Sequence, residues 1–266
     1  MTRRNLWCVL IVGLVGFLAV GCGGSGGSGG GSSAQGSGVV SPSSTGDPKQ
    51  DLLAALTRMD QLKTYQGDMT MSMSGMPGGG AMTTTSKIQT DVANNVVYQV
   101  TEVSGVGPGP TKQEMLIRGS EMLMRSDLFQ QAYGGGADTW YRAPSSGAGS
   151  QGATLMVSMY FAPAAQAITS VSKDGTKQVG GTEVTVYRAQ LDTEKLRAAM
   201  ASVGAPAAVD AKAMPAPSSI DYGVGPDGYV HSISFDMNGQ VTIELHEFDS
   251  ALSLPNPTDI KDLPTS

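Results

Sequence analysis

The chain has 266 residues, is 40% hydrophobic and only 15% charged, and carries a formal net charge of −6. That acidity argues against nucleic acid and anionic headgroups as primary electrostatic partners. With two cysteines and two histidines, and no HExxH, CxxC or carboxylate-rich loop, the sequence offers no frame for the usual zinc or thiol chemistry.

Taken in chain order, Arg3 and Arg4 precede a fifteen-residue apolar run, Leu6 to Val20, which closes on Leu18-Ala19-Val20-Gly21-Cys22. A positive start, an apolar middle and small residues before the cut read as a secretory signal peptide over 1–21. The run falls short of the ~20 apolar residues that a spanning helix needs. Its end resembles the lipobox of bacterial lipoproteins, with Ala19 where that motif more often has Leu. The resemblance implies that Cys22 takes a diacylglyceryl group and becomes the mature N-terminus. Each acyl CH₂ buried in a bilayer contributes ~0.8 kcal/mol, and stable attachment takes two chains or more. The adjacent arginines resemble a twin-arginine signal, yet such pairs are common in ordinary export signals, and ordinary export is the reading taken. Cys8 leaves with the signal, so the mature chain has no disulfide and rests on core burial. Seventeen basic residues fall to fifteen without Arg3 and Arg4, against twenty-three acidic ones, so the mature net charge is −8.

Residues 22–46 are the lipidated cysteine followed by a Gly/Ser-rich tether without charged or aromatic side chains. Such a chain behaves as a flexible coil spanning roughly 25–30 Å. Gly23-Gly24-Ser25-Gly26-Gly27 matches G-x-S-x-G, but that motif needs a strand-turn-helix setting that the tether lacks.

The remainder, 47–266, is long enough for one domain with a sizeable core. Asp47 can cap a helix with Pro48 at its first position and Gln50 completing a capping-box pair. Leu52, Leu53, Leu56, Met59 and Leu62 then recur at helical spacing, with an end near Lys63 to Tyr65. Strands follow. Met69, Met71 and Met73 alternate with Thr70, Ser72 and Ser74, and Ala81 to Val92 returns beyond a Gly-rich turn. Val96 to Val103 comes after Asn94-Asn95. Glu114 to Arg118 and Glu121 to Arg125 make a hairpin about Gly119-Ser120, and Trp140-Tyr141 is a short strand. Leu155 to Ile168, broken at Pro163, reads as a helical insert. Ser170 to Asp174 and Lys177 to Leu191 are strands, with turns at Asp174-Gly175 and Gly180-Gly181. Asp192 caps a helix carrying Leu196, Ala199 and Met200. Strands at Ser219 to Tyr222, Tyr229 to Met237 and Gln240 to Phe248 close the chain. Antiparallel meanders with helices on one side predict an α+β domain.

This order resembles the LolA-like fold, and within it the actinobacterial lipoproteins of the LppX/LprA/LprF/LprG group. The resemblance is carried by Met59-Asp60-Gln61-Leu62-Lys63-Thr64-Tyr65, Thr139-Trp140-Tyr141, Val184 to Asp192 and the closing Phe248-Asp249, Pro255-Asn256-Pro257 and Ile260. It implies a strongly curved, half-open antiparallel β-barrel whose concave face is plugged by helices. It also implies an apolar hollow that binds acyl chains of lipids, glycolipids or lipoproteins. Residues expected to line such a hollow are Met69, Met71, Met73, Val100, Met122, Met124, Met156, Met159, Tyr160, Phe161, Val186, Ile233 and Phe235.

The histidines and the methionines each admit another chemistry. A two-residue turn at Asn238-Gly239 would set His231 opposite His246 as a metal or acid–base pair, but it would mix apolar with polar residues on one face. A three-residue loop, Met237-Asn238-Gly239, instead pairs Phe235 with Val241 and Ile233 with Ile243. His231 then joins the apolar set opposite Leu245, and His246 faces away. The crowded methionines suit Cu(I) as soft ligands, and equally suit a pliable lining for varied apolar guests. The second reading is favoured. The expectation is therefore a membrane-anchored lipid binder on the extracytoplasmic face, monomeric, not an enzyme, with no cofactor and no catalytic or metal site. Its partners are the membrane through Cys22, a hydrophobic lipid or glycolipid, and an envelope protein. The alternative is a tethered interaction module with a closed core, and after that a copper-holding lipoprotein.

Overall fold

The computed structural model of the chain describes residues 46–73, 81–105, 109–143, 161–202, 216–237 and 239–263. Residues 1–45, which hold the expected signal segment, Cys22 and all but the last residue of the expected tether, lie outside them, as do Met156, Met159 and Tyr160.

Helix α1 (Pro48–Met59) starts as its sequence dictates. Asp47 is extended and its Oδ1 accepts from the Lys49 amide at 2.9 Å. Leu52, Ala55, Leu56 and Met59 form the buried stripe. The helix stops short of the expected Lys63, because tertiary partners capture the backbone that would have continued it. Lys63 N donates to Asp249 Oδ1 at 2.8 Å, and Asp249 N to the Thr64 carbonyl at 2.8 Å.

The strands are β1 (Thr64–Met73), β2 (Met82–Asp91), β3 (Val96–Ser104), β4 (Thr111–Arg118), β5 (Glu121–Ser126) and β6 (Trp140–Arg142). After them come β7 (Ile168–Val179), β8 (Thr182–Leu191), β9 (Ser219–Val224), β10 (Val230–Asp236), β11 (Gln240–His246) and β12 (Ile260–Asp262). Three further helices interrupt the series: α2 (Asp127–Tyr133), α3 (Ala162–Ala167) and α4 (Thr193–Ser202). All twelve strands form one curved sheet in the order β12-β6-β5-β4-β3-β2-β1-β11-β10-β9-β8-β7. It is antiparallel except where β12 runs parallel to β6, and it does not close, ending at β12 on one side and β7 on the other. Two sequential meanders are thus joined by β1 pairing with β11. The α+β, half-open architecture is the one expected.

Three local readings change. Asp174-Gly175 is a bulge within one long strand, not a turn: the β7–β8 register shifts between Lys173 and Thr176, and Gly175 takes φ +89°. A left-handed glycine serves a bulge as readily as a turn. Helix α2 was not anticipated, although Ser126 caps it by accepting from Phe129 N at 3.3 Å. The insert turns to strand at Ile168, immediately after α3. The β10–β11 register pairs Phe235 with Val241 and Ile233 with Ile243 across a three-residue connection, as side-chain alternation required.

The largest core lies on the inner face of β1 and β7–β11. There α1 packs across β7, β9 and β10 and lies against α3, which meets α4. Leu52, Leu56, Leu196, Ile220, Tyr222, Ile233 and Leu245 are among its fully enclosed side chains.

Candidate functional site

Cross-strand register fixes which side chains share the inner face, since alternate residues of a strand point to opposite sides. One inner row runs Ile243, Met69, Ser86, Thr101, Gln113 across β11, β1, β2, β3 and β4. The next runs Leu245, Gly67, Ile88, Gln99, Met115, Met124, Tyr141. On either side lie Met71 beside Thr84, Met73 beside Met82, and Ile117 beside Met122. Seven methionines of the chain's fifteen therefore stand on the inner face of β1, β2, β4 and β5.

This half of the inner face differs from the other. The described helices pack over β7, β9 and β10 at one end and, through α2, over β4 and β5 at the other, with β2 and β3 between them. At the α2 end Phe129, Tyr133 and Tyr141 form an aromatic cluster with centroids 5.8–6.2 Å apart. Gly67 lowers the floor between Leu245 and Ile88: a Cβ there would come within 2.9 Å of Leu245 Cδ2.

The expected lining residues divide accordingly. Met69, Met71 and Met73 are half-buried on the wall just described, with Met122 half-buried and Met124 buried beside them. Phe161, Ile233 and Phe235 are buried in the helix-filled core. Val100 and Val186 stand on the opposite, outer face, in the row Val186, Gly223, Ser232, Glu244, Asp68, Lys87, Val100. The exposed Glu244 and Lys87 in that row identify it as the solvent side. Strand parity alone cannot say which of two mixed faces is inner, and only the neighbouring strands settle it.

Polar residues of the wall were not anticipated. Ser86 and Thr101 hydroxyls lie 2.9 Å apart, and Gln99 Nε2 donates to them at 3.1 and 3.0 Å. Ser86 is 2% and Gln99 5% exposed, with Thr84 also buried nearby. The Asn94-Asn95 signal marks only the second half of the connection: four residues, 92–95, join the strands and set Gln99 opposite Ile88, whereas a two-residue turn would have set Thr101 there.

The two histidines do not meet as a site. His231 stands at the bulge where β10 shifts against β9. Its ring turns to Asp227, with Nε2 3.0 Å from Oδ2, and to the edge of Phe248, instead of joining the row opposite Leu245. Burial alone would raise the Asp227 carboxyl, but hydrogen bonds from His231 and the Tyr229 amide outweigh it and hold the group below the usual range. His246 bonds Asp68 at 3.1 Å, and Asp68 also pairs with Lys87 at 3.2 Å. Among the described residues no three His, Cys, Asp or Glu side chains are grouped to hold a metal ion. Met124 Sδ faces Gln113 Nε2 at 3.7 Å.

On the outer face an open groove of about 460 Å³ is lined by Arg188, Ser219, Asp221, Ser234, Phe235, Asp236 and Gln240. Arg188 grips Asp221 through two bonds of 2.8 and 2.9 Å. The groove is polar and faces away from the methionine wall. No described helix is long and apolar enough to cross a membrane.

No protein-family model matches the sequence, and no curated protein matches it significantly. Among solved structures the chain is similar to LprF from Mycobacterium bovis, at 13% identity and a TM-score of 0.47, over 79% of this chain and 96% of that one. It is similar to the Mycobacterium tuberculosis lipoprotein LppX at 9% identity and TM-score 0.47, over 78% and 98%. A putative outer membrane lipoprotein-sorting protein domain from Vibrio parahaemolyticus aligns at 9% identity and TM-score 0.28, over 78% and 95%.

Proposed function

We propose that this protein is a lipid-anchored extracytoplasmic lipoprotein that holds the acyl portion of a lipid, glycolipid or lipoprotein against the inner face of β1–β5, for carriage or presentation in the envelope. The observation that carries the reading is the methionine wall between two groups of helices. Unbranched thioether side chains repack around apolar guests of varied length and unsaturation, whereas the mixed aliphatic and aromatic core under α1, which Met69 and Met71 border, is made of buried side chains. Acyl burial alone drives such binding at ~25 cal/mol per Å². No proton transfer is required, and the side chains of the wall supply no general acid or base. Cys22 attaches the chain to the membrane, the Gly/Ser tether gives it reach, and the folded part works as a monomer.

Native mass spectrometry of the full-length chain released from detergent micelles, after incubation with a lipid extract of bacterial envelopes, tests this. The expected result is one or more retained acyl lipids per chain, beyond the mass of the Cys22 anchor. A chain that retains none rejects lipid carriage and leaves the tethered interaction module as the reading.

A further inference from the structure

Resting on that reading, we infer that Ser86, Gln99 and Thr101 form a polar anchoring point inside the acyl-binding face, and that the guest is an acyl lipid carrying an ester or hydroxyl group. A wall meant only for hydrocarbon has no use for an amide and two hydroxyls, because buried polar groups destabilise unless they are hydrogen-bonded. These three groups sit at the centre of the methionine wall. Ser86 is flanked by Met69 and Thr101, and Gln99 by Ile88 and Met115.

The count of donors and acceptors shows what they lack. The Gln99 amide nitrogen faces both hydroxyls and donates to Ser86 Oγ at 3.1 Å and Thr101 Oγ1 at 3.0 Å. The two hydroxyls share a single proton across their 2.9 Å contact, although each carries one. One hydroxyl proton is therefore left to donate. Gln99 Oε1, the amide's acceptor, is engaged by neither of these hydroxyls, which both bond the amide nitrogen. The trio thus presents one donor and one acceptor to the inner face. An ester carbonyl takes the donor, and a glycerol-type hydroxyl takes the acceptor. A saturated hydrocarbon satisfies neither.

The test compares uptake of 1-monoolein and 1-octadecene by the full-length chain, read as the ratio of the two bound species by native mass spectrometry. Wild type is compared with Gln99→Leu and with Thr101→Val, because a ratio between variants cancels the different solubilities of the two guests. One to two hydrogen bonds correspond to about tenfold. The expected result is a monoolein-to-octadecene ratio that falls by about that factor in Gln99→Leu and by a smaller factor in Thr101→Val, with octadecene uptake undiminished. Thr101→Val keeps the shape of a half-buried side chain and serves if Gln99→Leu does not fold. An unchanged ratio in folded variants that still take up octadecene overturns the inference while leaving lipid carriage standing. A wild-type chain that takes up neither guest overturns both.

Discussion

Glu114 on β4 shows how a single charge is accommodated in a half-covered sheet. It is 6% exposed on the outer face and receives Tyr98 Oη at 2.7 Å, Arg125 Nη2 at 2.6 Å and Lys112 Nζ at 3.2 Å. Burial alone would raise its carboxyl; the bonds from Tyr98, Arg125 and Lys112 outweigh that and hold it below the ordinary value of 4.5. The same environment pushes the Tyr98 phenol up to about 12, first through burial and then through Glu114 itself. A carboxyl depressed in the fold contributes stability that is present above its unfolded pKa and lost as pH falls through the folded one. Thermal unfolding between pH 2 and 7 should therefore show an acid-side loss that Glu114→Gln reduces, with a cost of roughly 1–3 kcal/mol at pH 7. An identical pH profile in both chains would remove Glu114 as its source. At this scale the sequence was partly legible. Asp47 and Asp192 were recognisable as caps because a cap acts on amides two or three residues away. The partners of Glu114 lie on three strands and were not.

At the scale of elements, α1 is where local and tertiary preferences agree. Its stripe of Leu52, Leu56 and Met59 meets the inner face of β7, β9 and β10, and Leu56 is 2% exposed. Leu56→Ala removes buried apolar volume at a site held by three elements and should destabilise the chain by about 2–5 kcal/mol in urea unfolding. A loss under about 1 kcal/mol would mean that the helix is only loosely docked. The β10–β11 hairpin was legible to the residue, because only one register places Phe235, Ile233, Val241 and Ile243 on one side. Elsewhere the same logic was insufficient. The Asp174-Gly175 pair has turn chemistry, yet β7 continues through it, since β8 remains paired on both sides of the bulge. Val100 and Val186 alternate correctly within their strands but point outward, because parity assigns a residue to one of two faces and leaves open which is inner.

For the molecule as a whole, residues 247–263 bind the two meanders together. The segment bonds Thr64 at the start of β1, passes the β4–β5 turn where Arg118 Nη2 donates to the Pro255 carbonyl, and ends as β12 on β6. Along the way Thr139 Oγ1 donates to Asp259 Oδ2 at 2.5 Å and Trp140 N to the Asp259 carbonyl at 2.9 Å. It places Ile260 over Leu116, Leu123 and Trp140, a small separate core on the outer face. A chain ending at Ser250 should lose roughly 2–4 kcal/mol and bind the dye ANS through the uncovered Trp140 region. Unaltered unfolding would show that the segment is only appended.

The sequence by itself determined the number and order of most strands, the two capped helices and the antiparallel, one-sided arrangement. These follow from periodicity, caps and turns, which act over a few residues. The tertiary structure alone decided which face of each strand is inner, that β1 joins β11, that the far C-terminus returns to β6, and that Ser86, Gln99 and Thr101 meet amid methionines. Those outcomes depend on strands brought together across long stretches of chain, and the free energy that selects them is burial summed over the whole sheet, which no short window of sequence contains.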